Sequence, residues 1–166
     1  MFILETARLR LRHLTLDDAP FMLTLLNDPS FLANIGDKGI RTLEQARRFL
    51  LDSHIASYAR HGYGHYLVEH KDTGESMGTC GLINRTFIGE IDIGFAYLPA
   101  YWSRGYATEA AQAVMDHARR VLGIEGIVAV VAPHNRDSIR VLEKLGLHLA
   151  GPTQLAEGGE WLHLYR

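Results

Sequence analysis

The hydrophobic pattern begins with a two-residue period. Leu9 and Leu11 fall on one parity and Arg8, Arg10 and Arg12 on the other, which predicts a strand from roughly Phe2 to Leu14 with one face inward. Thr15 ahead of Asp17 and Asp18 supplies a helix cap and acidic residues near the positive helix end. The helix should bury Ala19, Met22, Leu23 and Leu26 and stop before Asp28-Pro29, because the residue before proline is pushed out of helical geometry. Residues 30–41, with Asn34, Gly36, Asp37 and Gly39, predict an irregular, mobile connection. A T-x-x-Q capping box at Thr42 to Gln45 opens a second helix that lines up Ala46, Phe49 and Leu50 and ends near Gly62. Tyr63 to Glu69 and Met77 to Ile83 then predict an antiparallel hairpin, turned by K-D-T-G-E with Asp72 and Gly74 in suitable places.

Residues 90–110, E-I-D-I-G-F-A-Y-L-P-A-Y-W-S-R-G-Y-A-T-E-A, pass from an alternating strand through a short turn into a helix. That helix should run from near Gly105 to Leu122, with Ala107, Ala110, Ala111, Val114, Ala118, Val121 and Leu122 at helical spacing and Gly123 closing it. Ile127 to Ala132 is a buried strand ended by Pro133. Asn135 stands at the cap of a fourth helix holding Ile139, Leu142 and Leu145, with Gly146 at its end. Leu147 to Ala150 and Glu160 to Tyr165 form a last strand pair around A-E-G-G. The order of about seven strands and four helices predicts a mixed, largely antiparallel α/β sheet with at least one crossover around the third helix. No G-x-G-x-x-G follows a strand, which argues against a doubly wound dinucleotide fold.

Composition narrows this only a little. The 166 residues suit one domain spanning 1–166 around one core. A formal charge of −2 excludes a dominant basic surface, so no nucleic-acid partner is expected. Cys80 is the lone cysteine, which precludes an intramolecular disulfide and fits a reducing, cytoplasmic setting. No apolar run approaches the roughly 18 residues of a membrane span, so no membrane partner is expected. The nine histidines show no H-E-x-x-H or Cys/His ligand spacing, so no metal is expected.

Candidate chemistry gathers in residues 90–110. The first N–H groups of a helix lack internal partners and sit at its positive end, so Trp102, Ser103, Arg104, Gly105, Tyr106, Ala107 and Thr108 can hold a pyrophosphate without a net basic surface. Gly105 lets backbone approach closely, Ala107 keeps the wall low and Arg104 adds a cation; the same residues also suit a bare strand-to-helix turn. Strand parity places Glu90 and Asp92 on one face with Gly94 and Ala96, opposite Ile91 and Ile93. Those carboxylates suit either a general base or a solvated strand face.

W-S-R-G-Y-A-T-E-A resembles the W-G-K-G-Y-A-T-E-A signature of the ribosomal-protein N-acetyltransferase (RimJ/RimL-like) branch of the GNAT superfamily, a version of the acetyl-CoA pyrophosphate motif Q/R-x-x-G-x-G/A. E-T-A-R-L-R-L-R-H-L-T-L-D-D-A resembles that branch's first strand and helix, and N-R-D-S-I-R-V-L-E-K-L-G-L its second cofactor motif. Trp102 replaces the Q/R of the broad motif, Ser103 stands where the branch often has glycine, and Leu142 where many GNAT enzymes carry a tyrosine acid.

The resemblance implies a GNAT-like sheet splayed centrally to admit acyl-CoA, with Gly94 marking a bulge that opens the slot. It implies that the backbone of Phe95, Ala96, Tyr97 and Leu98 pairs with the pantetheine arm and that Trp102 to Thr108 hold the pyrophosphate. It further implies that Asn135, also a plain helix cap, bonds the arm, and that Ser138 lies near the sulfur. Asp92 is the first choice for general base and Glu90 the second; Ser138 is the candidate acid. The implied activity is acetyl transfer from acetyl-CoA, a cosubstrate, to a primary amine of a protein N-terminus or small molecule, by direct attack in a monomer or homodimer. Pro29 to Arg41 and Thr153 to Gly159 would wall the acceptor. The alternative is a non-catalytic acyl-CoA-binding sensor or interaction module.

Overall fold

The computed structural model describes residues 2–166, Phe2 by its backbone alone. Its sheet has eight strands in the order β1-β2-β3-β4-β5-β6-β8-β7. These are β1 (Phe2–Glu5), β2 (Leu9–His13), β3 (His65–His70), β4 (Ser76–Arg85), β5 (Glu90–Tyr97), β6 (Ile127–Val131), β7 (Leu149–Thr153) and β8 (Leu162–Tyr165). All neighbours run antiparallel except β5 and β6. The helices are α1 (Ala19–Asn27), α2 (Pro29–Asn34), α3 (Leu43–Phe49), α4 (Ala56–His61), α5 (Tyr106–Arg120) and α6 (Arg136–Lys144).

The alternation in residues 9–13 is realised, with Leu9 and Leu11 fully buried. The single strand expected from Phe2 to Leu14 is instead a hairpin. Thr6 turns the chain, its N–H donating to the Leu9 carbonyl and its hydroxyl accepting from the Leu9 N–H, and β1 folds back on β2. That turn accounts for eight strands where about seven were expected.

A second correction concerns residues 30–41. Asp28-Pro29 ends α1, as expected, but also starts α2: the Asp28 carboxylate accepts the Ser30 N–H at 2.9 Å, and proline is well placed at the first helical position. Only the stretch after Ile35 is irregular. On α1 the buried residues are Ala19, Met22, Leu25 and Leu26, Leu23 being only partly covered.

Two apolar layers sandwich the sheet. One packs Leu9, Leu11, Met77, Ile93 and Tyr97 against Ala110, Ala111, Val114 and Met115 of α5. The other packs Leu67 against α1, α2, α3 and the residue after it through Met22, Leu25, Leu26, Phe31, Ala46 and Leu50. Between α3 and α4 the chain widens into a π-helical turn, Leu50–Ile55. Such turns are uncommon and concentrate at functional sites.

β5 and β6 give the sheet its opening. They pair only at Ile91↔Ile127 and Asp92↔Val128, after which β5 follows β4 alone. The expected bulge at Gly94 is absent: β4 and β5 keep one register from Arg85↔Glu90 to Gly78↔Tyr97. Glycine at 94 instead leaves room for His65, since a Cβ there would lie 3.0 Å from its Nε2.

Candidate active site

The divergence of β5 from β6 leaves part of β5 without a strand partner. Leu98 donates its N–H to Met77 of β4 at 3.0 Å, so by the antiparallel alternation Phe95 and Tyr97 turn their backbone groups the other way, into the slot. The Tyr97 carbonyl already accepts the Trp102 indole N–H at 2.9 Å, which ties the turn to the strand. Ala96 and Leu98 therefore direct their backbone groups to β4. Of the four residues expected to pair with an extended ligand, Phe95 and the Tyr97 N–H are the ones suitably directed.

The turn into α5 leaves the first helical N–H groups uncapped. Ser103 (φ 60°) and Gly105 (φ 80°) both adopt the left-handed conformation, and no side chain caps the first turn of α5. Its leading N–H groups are thus available to a ligand at the positive end of the dipole. Arg8 holds this loop from behind. Its Nη1 donates to the Arg104 carbonyl at 2.9 Å, its Nε donates to Glu109 at 2.7 Å, and its guanidinium lies 4.4 Å from the Tyr106 ring centre. Burial pushes the Glu109 carboxyl up, but bonds from Thr6 Oγ1, the Arg8 N–H and the Arg8 guanidinium, with its charge, together hold it below the usual range. Nothing in the spacing of Thr6, Arg8 and Glu109 identifies this clamp, because it joins residues about a hundred positions apart.

Two cavities open from the divergence. The first, about 280 Å³, is lined by Phe95, Ala96, Tyr97, Trp102, Ser103, Gly105, Tyr106, Ala107, Thr108, Asn135 and Ser138, together with Arg140 and Lys144 one turn apart on α6. Leu98 and Arg104 are not among its lining residues. Asn135 caps α6, its side chain accepting the Ser138 N–H at 3.3 Å. These features fit a pyrophosphate at the helix end with an extended arm along Phe95.

The second cavity, about 520 Å³, lies on the α1–α4 side and shares Phe95, Ala96, Asn135 and Ser138 with the first. Asp92 lines it, and only 2% of its side chain is exposed. Asp92 Oδ2 accepts from Arg85 Nε at 2.8 Å, whereas Oδ1 is buried without a partner among the described residues. Burial raises the Asp92 carboxyl to about 6, against the pull of the Arg85 guanidinium and the Val130 backbone. Glu90 lies outside both cavities, its carboxylate 2.7 Å from Arg166 Nη2.

The family model of the acetyltransferase (GNAT) domain matches residues 8–148. The chain belongs to the GNAT acetyltransferase family. YoaA of Bacillus subtilis (strain 168), described as an uncharacterized N-acetyltransferase, is 31% identical over 90% of this chain and 84% of its own length. A crystal structure of an acetyltransferase from Agrobacterium tumefaciens superposes with a TM-score of 0.80 at 26% identity, covering 98% of this chain and 93% of the other. RimL, a ribosomal L7/L12 alpha-N-protein acetyltransferase solved with coenzyme A, shares the fold with a TM-score of 0.82 at 20% identity, over 99% and 96% of the two chains.

Within this GNAT domain the second cavity also holds groups that the sequence did not single out. His65 of β3 has Nδ1 3.5 Å from Thr79 Oγ1 and a buried Nε2 without a partner among the described residues. The π-helical turn brings His54 over it, ring centres 5.5 Å apart and nearly parallel. Burial, and secondarily Lys38, lowers His54 to about 4; burial, His54, Arg85 and Lys38 hold His65 well below the ordinary range. Both rings are therefore neutral at neutral pH. Lys38 and Leu155 line this cavity from the two connections expected to wall an acceptor. His134 donates through Nε2 to the Ala33 carbonyl at 3.2 Å and links the β6–α6 connection to α2. Leu142 is buried and lines the second cavity, so no tyrosine hydroxyl is offered from that position. Cys80 lies buried in β4 with its thiol pushed up by burial. No helix among the described residues is long and apolar enough to cross a membrane.

Proposed function

We propose that this protein transfers an acetyl group from acetyl-CoA to a primary amine by direct attack. The observation that carries the reading is the meeting of the two cavities at Phe95, Ala96, Asn135 and Ser138, where β5 leaves β6. A cosubstrate held by the α5 turn and the Phe95 backbone would deliver its thioester to this junction, and an amine would enter from the side of Asp92.

The amine must be neutral to attack. In the proposed step its lone pair forms the new C–N bond to the thioester carbonyl carbon and the C–S bond breaks. The amine proton passes to Asp92 Oδ1, and the thiolate leaves carrying the electron pair. Asp92 suits this role because its carboxyl, near 6, is ionised at neutral pH and one oxygen is unengaged. Ser138 lines both cavities and its hydroxyl can donate to the departing sulfur. Glu90, engaged with Arg166, is left to structure.

The test follows thiol release from acetyl-CoA and the acetyl mass gain of the acceptor across amines and peptides. The reading expects turnover, a loss of about 10²-fold or more in Asp92→Asn, and a smaller loss in Ser138→Ala, both with CoA affinity retained. CoA binding without turnover of any acceptor would leave a binding module, and unchanged rates in both variants would remove these two residues from the chemistry.

A further inference from the structure

The second cavity has a charge arrangement that a plain amine does not explain. Arg85 uses only Nε in its bond to Asp92, and its guanidinium makes no further bond among the described residues, so Nη1 and Nη2 remain for a ligand. Lys38, on the connection after α2, engages no carboxylate among the described residues. It lines the same cavity as Arg85 from an exposed position, and partial desolvation together with the like charge of Arg85 holds its ammonium below the ordinary range. The remaining lining carboxylate is Asp52, which is exposed, as is Arg60 of the same lining. Two neighbouring cations at a cavity wall are mutually repulsive, and an anion placed between them relieves this. Lys38 and Arg85 share this cavity with the buried, half-engaged Asp92, which Arg85 contacts, and with the neutral His65, groups that suit an amine.

Resting on the acetyl-transfer reading, we propose that the acceptor is an amine that also bears a carboxylate or comparable oxyanion, with Lys38 and the terminal nitrogens of Arg85 holding the anion while the amine meets Asp92 Oδ1. Asp92 and Arg85 lie side by side, so they complement the adjoining amine and acid groups of an amino carboxylate in reversed order. The π-helical turn, through His54, packs over His65 and closes the wall behind the amine. A polyamine would instead place further cations against Lys38 and Arg85, which is unfavourable in a partly desolvated cavity.

The experiment measures kcat/KM for matched acceptors: free L-amino acids beside their carboxamides, and tripeptides beginning Ala-Asp beside those beginning Ala-Asn. Charge-assisted bonds to one anion correspond to about a ten- to hundredfold preference for the acidic member of each pair. Preference in the free amino acid series assigns a small-molecule acceptor; preference in the tripeptides alone assigns an acidic peptide end. In Lys38→Met the ratio within the preferred pair should fall to about threefold or less, chiefly through KM. The ratio, rather than the rate, is read because a general loss of activity cancels in it. Equal turnover of both members, or an unchanged ratio in Lys38→Met, would overturn the inference while leaving acetyl transfer intact. No turnover of any amine despite CoA binding would overturn the reading on which it rests.

Discussion

At Asp92 burial moves an ordinary carboxyl toward neutral pH. Its folded carboxyl, raised to about 6 by desolvation, binds a proton more tightly than the same group in the unfolded chain. Its contribution to stability is therefore fullest in acid and is lost as pH rises through about 6. The melting temperature of Asp92→Asn relative to wild type should accordingly be higher near pH 7.5 than near pH 5. In the proposed reaction the converse holds for rate, since Asp92 as base must be ionised: kcat/KM should rise with an apparent pKa near 6, and that limb should vanish in Asp92→Asn. Thermal melts and pH–rate profiles of the two proteins check both. Gly94 matters through its neighbour, because a methyl there meets the His65 ring at 3.0 Å. Gly94→Ala should lower kcat/KM for the acceptor several-fold through a displaced His65, with the KM for acetyl-CoA little changed.

At the scale of elements, the α5 turn is positioned by a strand connection far away in the chain. Arg8 joins the Arg104 carbonyl to Glu109, so loss of either side chain frees the turn that opens α5. Arg8→Ala and Glu109→Ala should each raise the KM for acetyl-CoA about tenfold, and the double variant should cost far less than the product of the two, as expected for partners in one network. The β4–β5 pairing is equally exacting. A Cβ at Gly78 would collide with the Ala96 carbonyl and approach Tyr97 Cα to 2.9 Å, both backbone atoms that cannot swing aside. Gly78→Ala should destabilise the fold by about 3 kcal/mol, measurable by urea denaturation.

The whole molecule couples these parts through one interrupted strand pair. Because β5 and β6 separate after Asp92 and Val128, the sheet keeps an unfilled edge in its middle, and a ligand seated there would join its two halves. CoA at about a hundred times its Kd should then add about 2.7 kcal/mol to the unfolding free energy. For a domain of this size that corresponds to a rise of roughly 5–10 °C in melting temperature. Differential scanning calorimetry with and without CoA checks this, and Arg8→Ala should need more CoA for the same shift.

What the sequence determined alone follows from short-range rules. Period-two alternation at Leu9 to Arg12, the capping residues Thr15, Thr42 and Asn135, and Gly105 ahead of an alanine-rich apolar stripe act on neighbours within a turn or a strand, so they were legible along the chain. Misreadings arose where one residue serves two elements, as Asp28 and Pro29 do in ending α1 and opening α2, or where a turn interrupts an unbroken pattern, as Thr6 does. The first cavity is lined largely by residues 95–108, a contiguous stretch, and is correspondingly legible along the chain. The second cavity, proposed for the acceptor, draws Lys38, His54, His65, Arg85 and Asp92 from separate elements. Only the tertiary structure decided that Asp92 is buried with a free oxygen while Glu90 is tied to Arg166, because parity puts both on one face and desolvation depends on what the rest of the chain packs around each.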